Sequence, residues 1–172
     1  MTETVAYDVT RTIGEIEFRR YPELILASVM DTGDDSGFSL LFRYITGNNQ
    51  ARGKLPMTSP VITSKKIPMT SPVVSDEGSI SFVLPAGMRR DDVPDPLDDR
   101  VRITTLPPRD VAVVRFSGYA KEEEVRNATR RLLDGLEGAG ISTQGQVYLM
   151  RYNPPWTPGF LRRNEVAIEV VI

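Results

Sequence analysis

Hydrophobic and polar residues alternate in short stretches along much of the chain, a pattern typical of strands with one buried face. Residues 15 to 29 contain two such stretches around Tyr21-Pro22, which predict a strand, a bend and a second strand. Residues 79 to 85 predict a further strand, followed by a charged, proline-containing loop over residues 86 to 99.

Between these strands the apolar residues recur every three or four positions, which predicts an amphipathic helix of about three turns. The expected helix begins at Asp35 or Ser36 and ends at Gly47-Asn48. Arg43 and Tyr44 are expected at the flanks of its buried stripe. The stripe itself is predicted to consist of Phe38, Leu41, Phe42 and Ile45.

The second half of the chain repeats this order of elements. Its predicted elements are a strand, proline bend and strand over residues 101 to 118, a helix over 121 to 140, and strands over 146 to 153 and 165 to 172. The helix carries an apolar stripe formed by Val125, Ala128, Leu132 and Leu136.

The repeated order predicts a single α+β domain over residues 1 to 172, built from a duplicated β-β-α-β-β unit. The two pseudo-repeats cover about 5 to 85 and 100 to 172. Each would place one helix against a curved, mainly antiparallel sheet, and the sheets would join into a distorted barrel or a single large sheet.

The phrase "KLPMTSPV" at residues 54 to 61 recurs almost unchanged as "KIPMTSPV" at residues 66 to 73. Prolines on both sides of Met-Thr-Ser exclude a regular helix and limit strand pairing, so each copy is expected to be extended. Met57 and Met69 would then face the same side. Three roles stay open for these methionines, namely filling the core, lining a ligand groove or ligating a metal.

The charge of the chain is nearly balanced, with 21 lysines and arginines against 23 aspartates and glutamates. Because the basic residues are scattered, we expect no general attraction to nucleic acid or anionic membranes. The N-terminus is polar and no apolar stretch reaches the length that crosses a bilayer. We expect a cytoplasmic protein without membrane insertion, and the sequence indicates no protein partner.

The sequence contains neither histidine nor cysteine. Their absence excludes disulfides, thiolate metal sites and the Ser-His-Asp and Cys-His catalytic arrangements. An iron porphyrin bound to this chain would take its axial ligand from Met, Tyr, Lys or a non-protein source. No catalytic residue is predicted, and no metal ligand is assigned.

Four phrases carry a family resemblance, namely "RYITGNNQ", "MTSPV", "VRITTLPPRDVAVVRFSGYA" and "YNPPWTPGFLRRNEV". Together they resemble the SOUL haem-binding protein family, from roughly Tyr7 to the C-terminus. The resemblance implies a distorted β-barrel flanked by two helices. It also implies that a tetrapyrrole, haem or porphyrin, binds non-covalently in a shallow apolar groove beside the first helix, near the "NPPWTP" loop.

This resemblance implies a set of ligand-binding residues. Arg43 corresponds to a basic residue that meets a propionate, and Trp156 lies in a proline-held loop that would present its ring at little entropic cost. The chain departs from animal members at Asp35 and Thr157, where those members have basic residues. The other candidates are Phe38, Phe42 and Phe160 as apolar contacts, Tyr152 as an iron or edge contact, Met57 and Met69, and the basic residues Arg52, Lys54, Arg162 and Arg163.

"RRNE" at residues 162 to 165 also matches a family signature, and its charges suit an ion-pair network that anchors the preceding loop. Two alternatives to a tetrapyrrole carrier stay open. The repeated plan also resembles gyrase-inhibitory-protein-like effector modules, which bind amphipathic or cationic small molecules at a buried carboxylate, here Glu165 or Glu17. The other alternative is a tetrapyrrole-processing enzyme whose proton transfers would use Glu, Asp or Tyr.

Overall fold

The computed structural model describes residues 3–31, 36–65, 78–153 and 156–171. The helices are α1 (Ser36–Ile45) and α2 (Glu122–Gly138). The strands are β1 (Glu3–Thr4), β2 (Asp8–Ile13), β3 (Ile16–Tyr21), β4 (Leu24–Asp31), β5 (Thr58–Lys65), β6 (Gly78–Val83), β7 (Arg102–Leu106), β8 (Arg109–Phe116), β9 (Ser142–Arg151) and β10 (Asn164–Val171). Short 3₁₀ turns occur at Arg90–Asp92 and Gly159–Leu161.

Both predicted helices are present, and α2 buries the stripe that the sequence indicates. The stripe predicted for α1 was partly wrong. Leu41 and Ile45 are buried as expected, but Leu40 and Tyr44 complete the buried face, while Phe38 and Phe42 are 39% and 47% exposed. Neither helix of the described ranges is long and apolar enough to span a bilayer.

The strands form one ten-stranded, mostly antiparallel sheet. Along the sheet the order is β2-β3-β8-β10-β9-β5-β6-β4-β7, and β1 pairs parallel to β5. Within the described residues β2 and β7 do not pair with each other, and both end strands leave most of their residues exposed. The described strands therefore form the single large sheet, rather than the closed barrel expected from the family resemblance.

The strand pairings of the two halves correspond to each other. The pairs β4–β6 and β5–β6 of the first half match β8–β10 and β9–β10 of the second. The pair β3–β8 likewise matches β7–β4, and β5 pairs antiparallel with β9 at the centre. The order strand-strand-helix-strand-strand occurs twice along the chain.

Successive side chains of each strand point to opposite faces of the sheet, so the hydrophobic core is divided into clusters on the two faces. On one face, Ile25, Ala27 and Val29 of β4 pack in one cluster with α1, and Ala112 and Val114 of β8 in another with α2. The opposite face holds the intervening residues of the same strands, together with Tyr21, Tyr148 and Val5 of the N-terminal segment. Strands β4 and β8 therefore contribute to apolar layers on both sides of the sheet.

The first copy of the doubled phrase leads into β5, as its extended conformation predicted. The β5–β6 register shifts between Thr58 and Val61, around Pro60, which has no N–H to donate. Met57 is half-buried and packs against the cluster beneath α1. The second copy, including Met69, lies outside the described residues.

Candidate functional site

The outward side of α1 presents two aromatic rings. Phe38 and Phe42 are one helical turn apart and stack with ring centroids 6.3 Å apart and an interplanar angle of 12°. Phe38 also meets the buried ring of Phe82 edge-on, at 5.2 Å between centroids. The stacked pair is therefore held from below by the core while its outer edge remains in solvent.

The helix approaches the sheet closely at its start, and a small residue makes this possible. A Cβ atom built on Gly37 would lie 2.9 Å from Cγ2 of Ile80 and 3.1 Å from Cγ2 of Val29. This close contact orients the helix so that Leu40, Leu41 and Tyr44 face the sheet. The rings of Phe38 and Phe42 consequently lie at the edge of the buried face.

A basic residue lies on the same helix as these rings. Arg43 follows Phe42 directly in the last turn of α1, and its side chain is exposed. The positive charge of Arg43 also helps to lower the pKa of Asp98, after the larger effect of Arg100. We call Phe38, Phe42 and Arg43 the α1 surface.

The segment after α1 is organised by a buried asparagine that the sequence analysis did not single out. The side-chain amide of Asn49 donates to the carbonyl oxygens of Tyr44 and Gly53, at 2.8 and 2.9 Å. The turn so formed holds Arg52 at a positive φ of 52° and leaves Arg52 and Lys54 exposed. The "RYITGNNQ" phrase thus fixes a turn that carries two of the predicted basic residues.

The loop between β9 and β10 carries two other exposed rings, Trp156 at 82% and Phe160 at 78%. Its base is closed by a hydrogen bond from the N–H of Tyr152 to the carbonyl of Arg163, at 3.2 Å. A second bond runs from the N–H of Gly118 to the carbonyl of Gly159, at 2.9 Å, and ties the loop to the end of β8. Because β9 runs antiparallel to β5, this loop lies at the end of the sheet where β5 begins.

Two predicted ligand-binding residues of this loop, Arg162 and Arg163, make contacts within the protein. Arg162 donates from Nε to the carbonyl of Thr157 at 2.7 Å, and its guanidinium lies 4.6 Å from the centre of the Tyr119 ring. Arg163 donates to Glu165 from Nη2 and Nε, at 3.0 and 3.2 Å. The interpretation of "RRNE" as an anchoring ion-pair network is confirmed.

The partner of Arg163, Glu165, is the centre of a buried charge network. Its side chain is 0% exposed and receives two parallel hydrogen bonds from the guanidinium of Arg19, at 2.7 and 2.6 Å. The hydroxyl of Tyr152 donates to the same carboxylate at 2.5 Å. Arg19 is itself only 3% exposed and also donates to Glu17 at 2.7 Å.

Tyrosine rings enclose this network. The guanidinium of Arg19 lies 4.1 Å from the centre of the Tyr7 ring, and its Nη1 donates to the hydroxyl of Tyr21 at 3.0 Å. The rings of Tyr7 and Tyr21 are 5.3 Å apart, and Arg163 donates to the Tyr7 hydroxyl at 3.0 Å. We call the enclosure formed by Glu165, Arg19, Arg163, Tyr152, Tyr7 and Tyr21 the Glu165 chamber.

The network determines the ionisation of its members. Burial alone would raise the pKa of Glu165, but the hydrogen bonds and charge of Arg19 outweigh it and the pKa is lowered. Burial raises the pKa of Tyr152, and the neighbouring negative charge of Glu165 raises it further. At neutral pH the chamber therefore holds an ionised carboxylate beside a protonated tyrosine.

Apart from Met57 and the loop residues Trp156, Phe160 and Arg162, the predicted ligand-binding residues that the structure describes fall into two groups. Phe38, Phe42 and Arg43 form one surface, with Arg52 and Lys54 exposed on the turn that follows it. Tyr152 and Arg163 belong to the Glu165 chamber, on the other face of the sheet. Glu165, considered in the sequence as the carboxylate of "RRNE" and as a carboxylate for an alternative ligand, is the residue that joins them.

Comparison with known proteins identifies the family. Residues 2–169 match the sequence profile described as SOUL heme-binding protein. The chain belongs to the SOUL family. A mouse member of this family, Heme-binding protein 1, is 31% identical over 132 residues, which cover 73% of the SOUL chain described here and 65% of the mouse protein. The match therefore spans just under two thirds of that relative's length.

Solved structures share the fold of this SOUL chain at low sequence identity. The C-terminal domain of EcmrR superposes with a TM-score of 0.63 and 15% identity, covering 96% of this chain and 98% of that domain. SAV2435 bound to tetraphenylphosphonium superposes with a TM-score of 0.55 and 12% identity, covering 92% and 94%. These likenesses establish a common architecture.

Proposed function

We propose that this SOUL protein binds a tetrapyrrole, haem or metal-free porphyrin, non-covalently on the α1 surface. The observation that carries the proposal is the stacked and half-exposed pair Phe38 and Phe42, with the exposed Arg43 next in sequence on the same helix. Exposed rings of this kind are costly in water and suit a flat apolar ligand face. The name of the mouse relative, Heme-binding protein 1, supports the same ligand class.

The side chains fit the macrocycle better than they fit its iron. Arg43 can form a charge-assisted hydrogen bond to a propionate, with a contribution of about 1.5 to 3 kcal/mol. Of the candidate iron ligands in the described residues, Tyr152 donates its hydroxyl to Glu165 and Met57 packs against the core. We therefore expect recognition through the ring face and the propionates, with haem and metal-free porphyrin binding similarly.

We infer that Trp156 and Phe160 contribute from the loop beyond β9. The antiparallel pairing of β5 with β9 brings this loop to the end of the sheet where the segment from α1 enters β5. Both rings are largely exposed while the base of the loop is fixed by hydrogen bonds, so their apolar area is available at little ordering cost. We also infer a duplicated origin for the two halves, from their matching strand pairings.

A cationic effector is the less favoured ligand. The tetraphenylphosphonium in the SAV2435 structure shows that this fold can hold such a cation. In the present chain, however, the buried carboxylate is bound to Arg19 and Arg163. A cation from solvent would have to displace a bidentate guanidinium from a buried site, which costs several kcal/mol.

The proposal is tested by titrating the protein with ferric haem and with protoporphyrin, followed by porphyrin absorbance and by the fluorescence of Trp156, the single tryptophan. We expect low-micromolar binding of both ligands. Replacing both phenylalanines, Phe38→Ala with Phe42→Ala, should weaken binding at least tenfold, as should Arg43→Glu. Arg130→Glu, the same charge change at an exposed position of α2, is the matched control and should leave binding unchanged. Wild-type affinity in both the double variant and Arg43→Glu would refute the proposed surface.

A further inference from the structure

The Glu165 chamber combines the two features by which proteins recognise organic cations, a carboxylate and aromatic faces. The carboxylate of Glu165 meets a planar guanidinium with two parallel hydrogen bonds, at 2.7 and 2.6 Å. The face of Tyr7 lies 4.1 Å from the same guanidinium. In this molecule the cation comes from the chain itself, as the side chain of Arg19.

The alternation of β3 explains how Arg19 reaches this position. Ile16 and Phe18 face α2, so the intervening residues Glu17, Arg19 and Tyr21 face the opposite side of the sheet. Arg19 lies 146 residues from Glu165 in the sequence, and β8 lies between their strands in the sheet. The long arginine side chain spans that strand and places its head group beside the carboxylate.

The remainder of the chamber does not depend on Arg19. Glu165 also accepts hydrogen bonds from Arg163 and from the hydroxyl of Tyr152, and neither contact involves Arg19. Tyr7 would keep its hydrogen bond from Arg163 and its contact with the Tyr21 ring. The carboxylate and its aromatic wall are therefore held by contacts that survive removal of the guanidinium.

A cavity of about 180 Å³ is bordered by residues next in sequence to two of the chamber tyrosines. It is bordered by Val5 and Ala6, which precede Tyr7, by Pro22, which follows Tyr21, and by Thr58. Within the described residues the buried hydroxyl of Thr58 has no hydrogen-bond partner.

We propose that the Glu165 chamber is an organic-cation site that the protein fills with its own arginine, and that shortening Arg19 converts it into a site for planar guanidinium or amidinium ions. The native protein is accordingly closed to such cations. The inference does not depend on tetrapyrrole binding, because the chamber and the α1 surface share no residue.

The test compares Arg19→Ala with the wild type in millimolar methylguanidinium or benzamidinium, with sodium chloride at equal ionic strength as the reference. Ligand that binds only the folded state raises the unfolding temperature. We expect a rise of a few degrees for Arg19→Ala and none for the wild type. The double variant with Glu165→Gln should lose the rise, because the carboxylate is gone.

Arg131→Ala is the matched control, since it removes a guanidinium from an exposed ion pair with Glu15. It should gain no response to either cation. If Arg19→Ala does not fold alone, its refolding from urea with and without benzamidinium replaces the thermal measurement, and recovery with the cation supports the proposal. The proposal is overturned if the cations neither stabilise nor rescue Arg19→Ala, or if they act equally on the variant that also carries Glu165→Gln.

Discussion

The α1 surface and the Glu165 chamber lie on opposite faces of one sheet and reverse the usual distribution of side chains. Phe38 and Phe42 expose aromatic rings to solvent, whereas Glu165 and Arg19 bury opposite charges in the interior. Exposed rings contribute little to folding, and buried charges are accessible to no ligand while they are paired. The comparison separates residues that determine binding from residues that determine stability.

The largest expected effect on stability comes from a substitution in the Glu165 chamber. Glu165→Gln should lower the free energy of unfolding by about 3 to 5 kcal/mol, because it leaves the guanidinium of Arg19 buried without its counter-charge. Urea denaturation measures the loss. Glu169→Gln, the same change four residues along β10 at a partly exposed position, should cost far less, and equal losses would contradict a special role for Glu165.

Tyr152→Phe should have the next largest effect, since it removes one hydrogen bond to the buried carboxylate. A bond to a charged group contributes about 1.5 to 3 kcal/mol, and the loss should appear in urea denaturation. Tyr119→Phe, at an exposed ring, is the control, and an equal loss there would contradict this account.

The same network predicts how stability depends on pH. The pKa of Glu165 is lowered in the folded protein, so its stabilising contribution is complete above the unfolded value of about 4.3 and is lost as pH falls through the folded value. Between those two values the advantage of the wild type over Glu165→Gln should shrink by up to about 1.4 kcal/mol per pH unit. Urea denaturation of both proteins between about pH 3 and 7 measures the difference. A gap that does not narrow in acid would show that Glu165 is not ionised in the folded state.

Local patterns in the sequence predicted most of the fold. The helices and eight of the strands follow from residue spacing and from proline and glycine punctuation, within a few residues of their observed bounds. The strands β1 and β2 were not predicted, because Asp8–Ile13 is exposed on both faces and shows no apolar alternation. The sheet does not close into the barrel that the family resemblance implied. Whether the end strands pair depends on contacts between distant parts of the chain, which the spacing of residues does not encode.

The candidate site was less predictable, for two physical reasons. On α1, the spacing fits a buried stripe through Phe38 and Phe42 as well as one through Leu40 and Tyr44, and only packing against β4 and β6 decides between them. The bond between Arg19 and Glu165 joins distant parts of the chain, so no local pattern reports it. One signal was present, namely the charged and aromatic residues 17, 19 and 21 alternating with apolar ones within a single strand.

The smallest expected effect on stability comes from a substitution at the α1 surface. Phe42→Ala removes a ring that is 47% exposed and stacked mainly on Phe38, so the free energy of unfolding should change by no more than about 0.5 kcal/mol. Porphyrin affinity should nevertheless fall, because the variant loses apolar area that a bound ring would cover. Val9→Ala, at a similarly exposed apolar position on β2, should change neither quantity. If Phe42→Ala destabilised the protein by several kcal/mol and left porphyrin binding intact, the ring would belong to the core, and the separation of binding from stability would fail at the α1 surface.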